Sequence, residues 1–161
     1  MKTSFLALLC ALVALAAPAA DEQHHPPRPH ALLDQLKSLE GTWETAGPEK
    51  SRTIYSVGAN GSAIVEQLLP ESAKMVNVIH ADGEALMMTH YCASGNQPRY
   101  KATALTNGRI VFSFLDGTNL GAAYMAGVTL TMKDADHLTQ EWISRDGGKD
   151  EIVTFEFTRV K

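Results

Sequence analysis

The chain has 161 residues, of which 45% are hydrophobic, and its formal net charge is −4 at pH 7. This length suits one domain with a single hydrophobic core. The acidic balance and the lack of a clustered basic segment argue against a nucleic-acid partner, because binding to the phosphate backbone requires positive charge.

Residues 1–20 have the pattern of a secretory signal peptide. Lys2 is followed by an apolar run over residues 5–16 and by the small residues of a cleavage site at 17–19. The run is too short to cross a bilayer and no second long apolar run follows, so we predict export to the periplasm or extracellular space and no membrane span. Cys92 is then the only cysteine of the mature chain, which leaves no internal disulfide.

Residues 21–30 are proline-rich and polar, which predicts a flexible leader. The histidines in this leader have no fixed geometry, so we interpret them as part of a solvated tail rather than a metal site. Residues 31–161 form the one predicted domain. It begins with a short amphipathic helix, because leucines recur at helical spacing over residues 32–39 and Gly41 ends the pattern.

Beyond the helix, the sequence consists of short alternating runs separated by turn compositions such as Ala-Asn-Gly and Ala-Asp-Gly. The predicted strands are at residues 42–46, 51–57, 62–69, 74–80, 84–92, 98–105, 109–115, 124–132, 137–144 and 151–159. The fold class is therefore mainly β: a closed antiparallel up-and-down barrel of about 8–10 strands with one short N-terminal helix, closed because open edges invite aggregation.

The alternation also predicts which side chains face the interior. In the last run, Val153, Phe155 and Phe157 alternate with polar residues, which is typical of a strand with one dry face and one solvated face. The inward faces are rich in phenylalanine and methionine, a composition that suits a barrel that is filled or holds an apolar ligand. We expect the enclosed space to be incompletely filled.

Three residues carry a resemblance to a known family. Gly41 and Trp43 form a Gly-x-Trp sequence just after the helix, and Arg159 lies on the last strand. In this combination the chain resembles the lipocalins and their calycin relatives, in which a first-strand tryptophan is covered by an arginine from the end of the chain. The resemblance implies that Arg159 covers Trp43, a contact worth about 0.5–2 kcal/mol, and that the pair closes one end of the barrel.

The strand count is more similar to the fatty-acid-binding and nitrobindin-like barrels, and the sequence is also similar to exported, lipocalin-like bacterial proteins with a His-Tyr-Cys…Asn-Gln-Pro-Arg stretch. The lipocalin Thr-Asp-Tyr motif and disulfide are missing, as is the Arg-x-Tyr clamp of fatty-acid-binding proteins. Nitrobindin-like barrels hold heme through one histidine, so heme on His80 or His90 is an alternative, but neither matches that family's motif. We predict no cofactor.

The stretch THYCASGNQPR, residues 89–99, concentrates chemically versatile side chains. His90 and Cys92 share one strand face with alpha carbons about 6.6 Å apart, beyond the reach that a Cys–His nucleophile pair requires. We therefore predict a packed thiol and a buried histidine. The Ser-Gly-Asn-Gln-Pro segment has turn chemistry, and the pattern leaves open whether Arg99 enters the barrel mouth or lies in water.

A few polar residues share the inward phase with the apolar ones, and a mainly apolar cavity with convergent polar groups is typical of a small-molecule site. The candidate ligand-binding residues are Tyr55, Glu66, His90, Arg99, Gln140 and Trp142. Among these, Glu66, His90 and Arg99 are the expected polar anchors, because a buried glutamate requires partners such as His90 or Arg99.

The predicted function is binding of a small, mainly apolar molecule by an exported protein, with no catalytic residue and no metal ligand assigned. Two alternatives remain open. One is an enzyme that uses His90 or Glu66 as general acid–base on a hydrophobic substrate, and the other is an interaction module with a filled core. The sequence leaves the oligomeric state undetermined.

Overall fold

The structure, a computed structural model, describes residues 29–47, 50–70 and 73–161. The predicted signal peptide and nearly all of the predicted leader lie outside the described residues. The described chain begins with helix α1 (Ala31–Leu36) and a 3-10 turn (Lys37–Leu39). The strands that follow are β1 (Gly41–Thr45), β2 (Arg52–Gly58), β3 (Ala63–Leu69), β4 (Met75–Asp82), β5 (Ala85–Tyr91), β6 (Gln97–Ala102), β7 (Leu105–Thr106), β8 (Arg109–Thr118), β9 (Ala123–Met132), β10 (His137–Asp146) and β11 (Lys149–Arg159).

Ten of these strands form one closed antiparallel barrel. Neighbouring strands pair in chain order from β1 to β6 and from β8 to β11, while β11 pairs with β1 and β6 pairs with β8. The two-residue β7 pairs only with the beginning of β8. The prediction of a closed antiparallel barrel with one short N-terminal helix is confirmed, and the architecture is consistent with a calycin-like fold.

The N-terminal helix covers one end of the barrel. His30 caps α1, since its Nδ1 accepts a hydrogen bond from the backbone nitrogen of Leu33 at 3.3 Å. Leu33, Leu36 and Leu39 are buried and belong to the hydrophobic core. The apolar stripe predicted from the leucine spacing therefore packs into the barrel end, which we call the closed end.

The closed end is sealed by Trp43 and Arg159, which face each other across β1 and β11. The guanidinium carbon of Arg159 lies 4.1 Å from the centroid of the indole ring. The guanidinium also donates to the backbone oxygens of Glu40 at 2.6 Å and Ser38 at 2.8 Å. Gly41 has φ +127°, a conformation that favours glycine, and a Cβ there would lie 3.0 Å from Nη1 of Arg159, so a larger residue would also displace the guanidinium.

One prediction about the last strand is wrong in part. Phe157 is buried, but Phe155 is only partly buried and Val153 is 40% exposed. The reason is that β1 is short: it pairs with β11 only at residues 157–159, so the first half of β11 has β10 as its partner in the described structure and extends past the barrel wall. Val153 and Phe155 therefore lie at the barrel mouth rather than in its centre.

Most of the barrel interior is filled. The largest fully buried side chains are Trp43, Tyr55, Tyr100 and Phe112, and aliphatic residues pack between them near α1. A cavity of about 100 Å³ lies at the opposite end, which we call the open end. Among the described residues, no helix is long and apolar enough to cross a membrane.

Candidate functional site

The open-end cavity is bounded by the ends of β2, β3, β4, β5, β9, β10 and β11. Its described lining residues are Ser51, Arg52, Thr53, Leu68, Pro70, Met75, His90, Met125, Gln140, Trp142, Val153, Phe155 and Phe157. Most of this surface is apolar, and the two methionines supply flexible walls that adapt to different shapes. The cavity therefore has the composition of a site for a small apolar molecule.

A buried carboxylate lies directly behind the cavity. Glu66 on β3 is 0% exposed. Its Oε1 accepts hydrogen bonds from Oγ1 of Thr53 at 2.8 Å and from Nε2 of Gln140 at 2.6 Å, and its Oε2 accepts one from Nδ2 of Asn77 at 2.6 Å. Burial of a carboxylate without hydrogen-bond partners destabilises the folded state by several kcal/mol. These three neutral donors take the place of the water molecules that the carboxylate loses on burial. Glu66 does not itself line the cavity.

Gln140 links this carboxylate to the two aromatic hydrogen-bonding groups nearby. Its Nε2 also donates to the hydroxyl of Tyr55 at 2.8 Å, and its Oε1 accepts from Nε1 of Trp142 at 2.9 Å. Burial, followed by the negative charge of Glu66, raises the pKa of Tyr55 well above its ordinary value. Tyr55 is therefore a neutral phenol. It is part of the hydrogen-bond network and is not among the residues that line the cavity.

His90 connects the network to the cavity. Its Nδ1 lies 2.7 Å from Oδ1 of Asn77, and its ring centroid is 5.0 Å from the indole ring of Trp142. The side chain is buried, at 1% exposure, and its Nε2 has no hydrogen-bond partner in the described structure. Burial lowers the pKa of His90 from 6.5 to about 4, so the imidazole is neutral at physiological pH.

Arg99 does not reach the cavity, so its placement among the inward anchors is wrong. Its side chain is 49% exposed and forms an ion pair with Asp116, with Nε 2.6 Å from Oδ1. The two residues are register partners on β6 and β8. Alternation along β6 explains the direction, because Pro98 and Tyr100 are buried and the residue between them must face outward.

The rest of the stretch 89–99 behaves as a strand end and a turn. The backbone nitrogen of Cys92 donates to the oxygen of Asn96 at 3.0 Å, and the nitrogen of Gly95 donates back to the oxygen of Cys92 at 2.9 Å. Gly95 has φ +79°, a conformation that favours glycine. Cys92 is a free, partly buried thiol that is not among the cavity lining residues.

Of the six candidate residues, all but Arg99 lie close together in the structure. These five come together although they lie on four different strands: Tyr55, Glu66, His90, Gln140 and Trp142. The sequence analysis missed Thr53, Asn77, Met75 and Met125. The alternation carried a signal for two of them, because Thr53 shares the inward phase of Tyr55, and Asn77 that of Ile79.

A metal centre of the usual composition is not present in the described part of the chain, where no group of three histidine, cysteine, aspartate or glutamate side chains is close enough to hold an ion. Comparison of the chain with protein-family models gave no match, and a search of curated proteins also gave none.

Proposed function

We propose that this protein is an exported binding protein for a small, mainly apolar molecule, which occupies the open-end cavity beside His90 and Trp142. The observation that carries the proposal is the combination of an apolar cavity with one buried polar atom, Nε2 of His90, that has no partner in the described structure. A buried polar group without a partner costs about 1–3 kcal/mol, and a bound molecule that donates a hydrogen bond to this atom would remove that cost. Export rests on the signal-peptide pattern of residues 1–20.

The size of the cavity limits the molecule that fits. A dry cavity of about 150 Å³ is known to accept benzene, and this one measures about 100 Å³ and is bordered by partly exposed residues at its mouth. A single ring or a short alkyl chain matches that space, with any longer part reaching outward past Val153. The heme alternative fits poorly, because a porphyrin is far larger than the cavity although His90 offers a nitrogen.

The alternative of an acid–base enzyme has less support from the geometry. It would use His90 or Glu66 on a hydrophobic substrate, but the Glu66 carboxylate is enclosed by Thr53, Asn77 and Gln140 and does not line the cavity. Only His90 would then face the substrate, without the glutamate partner that this acid–base pair requires. Binding requires only the cavity and the residues that line it, whereas the acid–base pair requires a carboxylate that does not line the cavity.

The proposal is tested by titrating the protein with toluene while following tryptophan fluorescence and thermal unfolding. The chain has two tryptophans, and only Trp142 lines the cavity, while Trp43 lies at the closed end. Toluene should change the emission of the wild-type protein and of Trp43→Phe, but not that of Trp142→Phe. A ligand that binds only the folded state at ten times its dissociation constant stabilises it by about 1.4 kcal/mol.

Native mass spectrometry of protein purified from its own host complements the titration, because it detects a bound molecule directly. An extra mass that is lost on denaturation would support the proposal. No bound mass, together with no thermal shift and no emission change up to the solubility limit of toluene, would contradict it.

A further inference from the structure

We infer that the ligand donates a hydrogen bond to Nε2 of His90, and that its class is therefore a small neutral hydroxyl compound with an apolar body, such as a phenol or a short alcohol, and not a carboxylic acid anion. This inference rests on the proposed binding function and names the chemistry of the same cavity. It depends on the direction of each hydrogen bond in the network behind the cavity.

The donor and acceptor roles can be assigned starting from Trp142, because an indole nitrogen can only donate a hydrogen bond. It donates to Oε1 of Gln140, so that atom is the amide oxygen and the amide NH₂ must face the other way. There the NH₂ donates to Oε1 of Glu66 and to the hydroxyl of Tyr55. One side chain with a single possible role thus determines the orientation of the glutamine amide.

The carboxylate of Glu66 determines the orientation of the Asn77 amide on the other side of the network. A carboxylate accepts hydrogen bonds and has none to donate, so the Asn77 atom at 2.6 Å from Oε2 is the NH₂ group. The oxygen of the same amide then faces His90 at 2.7 Å. Since an amide oxygen only accepts, Nδ1 of His90 must carry the proton.

A neutral imidazole protonated at Nδ1 has a lone pair at Nε2. This atom is buried, has no partner among the described residues and belongs to a side chain that lines the cavity. A cavity occupant that reaches Nε2 would therefore meet a hydrogen-bond acceptor. A hydroxyl group satisfies that acceptor, while a carboxylate or an ether oxygen would place one lone pair against another.

Charge around the cavity also disfavours an anion. The Glu66 carboxylate lies directly behind His90 and Gln140, and its hydrogen-bond partners are all neutral. Arg52 is the one cationic side chain among the described lining residues, and its guanidinium is paired with Glu44, with Nε 2.9 Å from Oε1. An anionic ligand would be repelled by the negative charge of Glu66 behind the cavity, and the guanidinium of Arg52 is already paired with Glu44.

The decisive experiment compares phenol, toluene and benzoate, three rings of similar size that carry a hydroxyl, a methyl or a carboxylate group. Their dissociation constants are measured on the wild-type protein, on His90→Phe and on Arg99→Ala, which alters an exposed residue outside the cavity. We expect the ratio of phenol to toluene affinity to fall about tenfold in His90→Phe, the size of one buried hydrogen bond. Arg99→Ala should keep the wild-type ratio, and benzoate should bind more weakly than phenol.

A second measurement needs no substitution and so does not depend on the variant folding. Nitrogen-15 NMR of the wild-type imidazole should show a protonated Nδ1 and an unprotonated Nε2, with the Nε2 signal moving when phenol binds but not when toluene binds. A proton on Nε2, an affinity ratio unchanged by His90→Phe, or benzoate binding as tightly as phenol would overturn the inference while leaving the binding function intact. Failure of all three rings to bind would overturn the proposed function as well.

Discussion

Acidification below pH 6.5 should destabilise this protein through His90. Burial lowers the pKa of this side chain from 6.5 to about 4, so a proton binds the unfolded state more tightly than the folded state. The stabilising contribution of the neutral imidazole is therefore complete above pH 6.5. It is lost as the pH falls from 6.5 through about 4, and the curve becomes flat below that value.

The size of the effect follows from the difference between the two pKa values. One pKa unit corresponds to about 1.4 kcal/mol, so the full difference is worth roughly 3 kcal/mol. Linkage places about 1.4 kcal/mol of that loss at pH 5.5 and about 2.5 kcal/mol at pH 4.5. The carboxylates whose pKa is lowered from 3.8, such as Asp116 and Asp150, contribute mainly at lower pH. The difference between the wild-type protein and a variant without His90 therefore measures the part of the loss between pH 7.5 and 4.5 that belongs to the histidine.

Urea unfolding across this interval, followed by circular dichroism, measures the loss directly. His90→Gln removes the titrating group and should flatten the profile, although it will also change stability at neutral pH by altering the bond to Asn77. His80→Gln, which replaces an exposed histidine on β4, is the matched control and should follow the wild-type profile. A wild-type profile that stays level between pH 6.5 and 4.5, or one that His90→Gln leaves unchanged, would refute the burial of this imidazole.

Two further predictions concern the two arginines that the sequence analysis singled out. Trp43→Ala should lower the free energy of unfolding by about 3–5 kcal/mol, and Arg159→Ala should lower it less because its guanidinium is partly exposed. A double-mutant cycle should show that the two effects are not additive. Strict additivity would exclude the stacking contact. Arg99→Ala should leave the thermal midpoint and toluene affinity nearly unchanged, since its pair with Asp116 is a surface ion pair; a marked loss of ligand affinity would place Arg99 at the cavity after all.

Much of the fold could be predicted because strands carry a local signal. Alternation with a period of two residues predicts ten strands to within a few residues of their observed bounds. It also predicts the inward phase of the five polar and aromatic residues that the structure buries: Tyr55, Glu66, His90, Gln140 and Trp142. The helix was predictable for the same reason, since the leucine spacing shows which face must be buried. These features depend on residues close together in the chain.

The composition of the site was decided only by the tertiary structure. Glu66 obtains its hydrogen bonds from residues on β2, β4 and β10, and Gln140 lies 74 positions away from it, so the register of several strands must be known before the partners are. Opposite charge alone suggested Arg99 as a partner of Glu66. In the structure, Arg99 and Asp116 are register partners on β6 and β8, and they form an ion pair on the outside of the barrel. The extent of the cavity likewise depends on how large side chains from opposite walls meet, which is a property of the closed barrel and of no single strand.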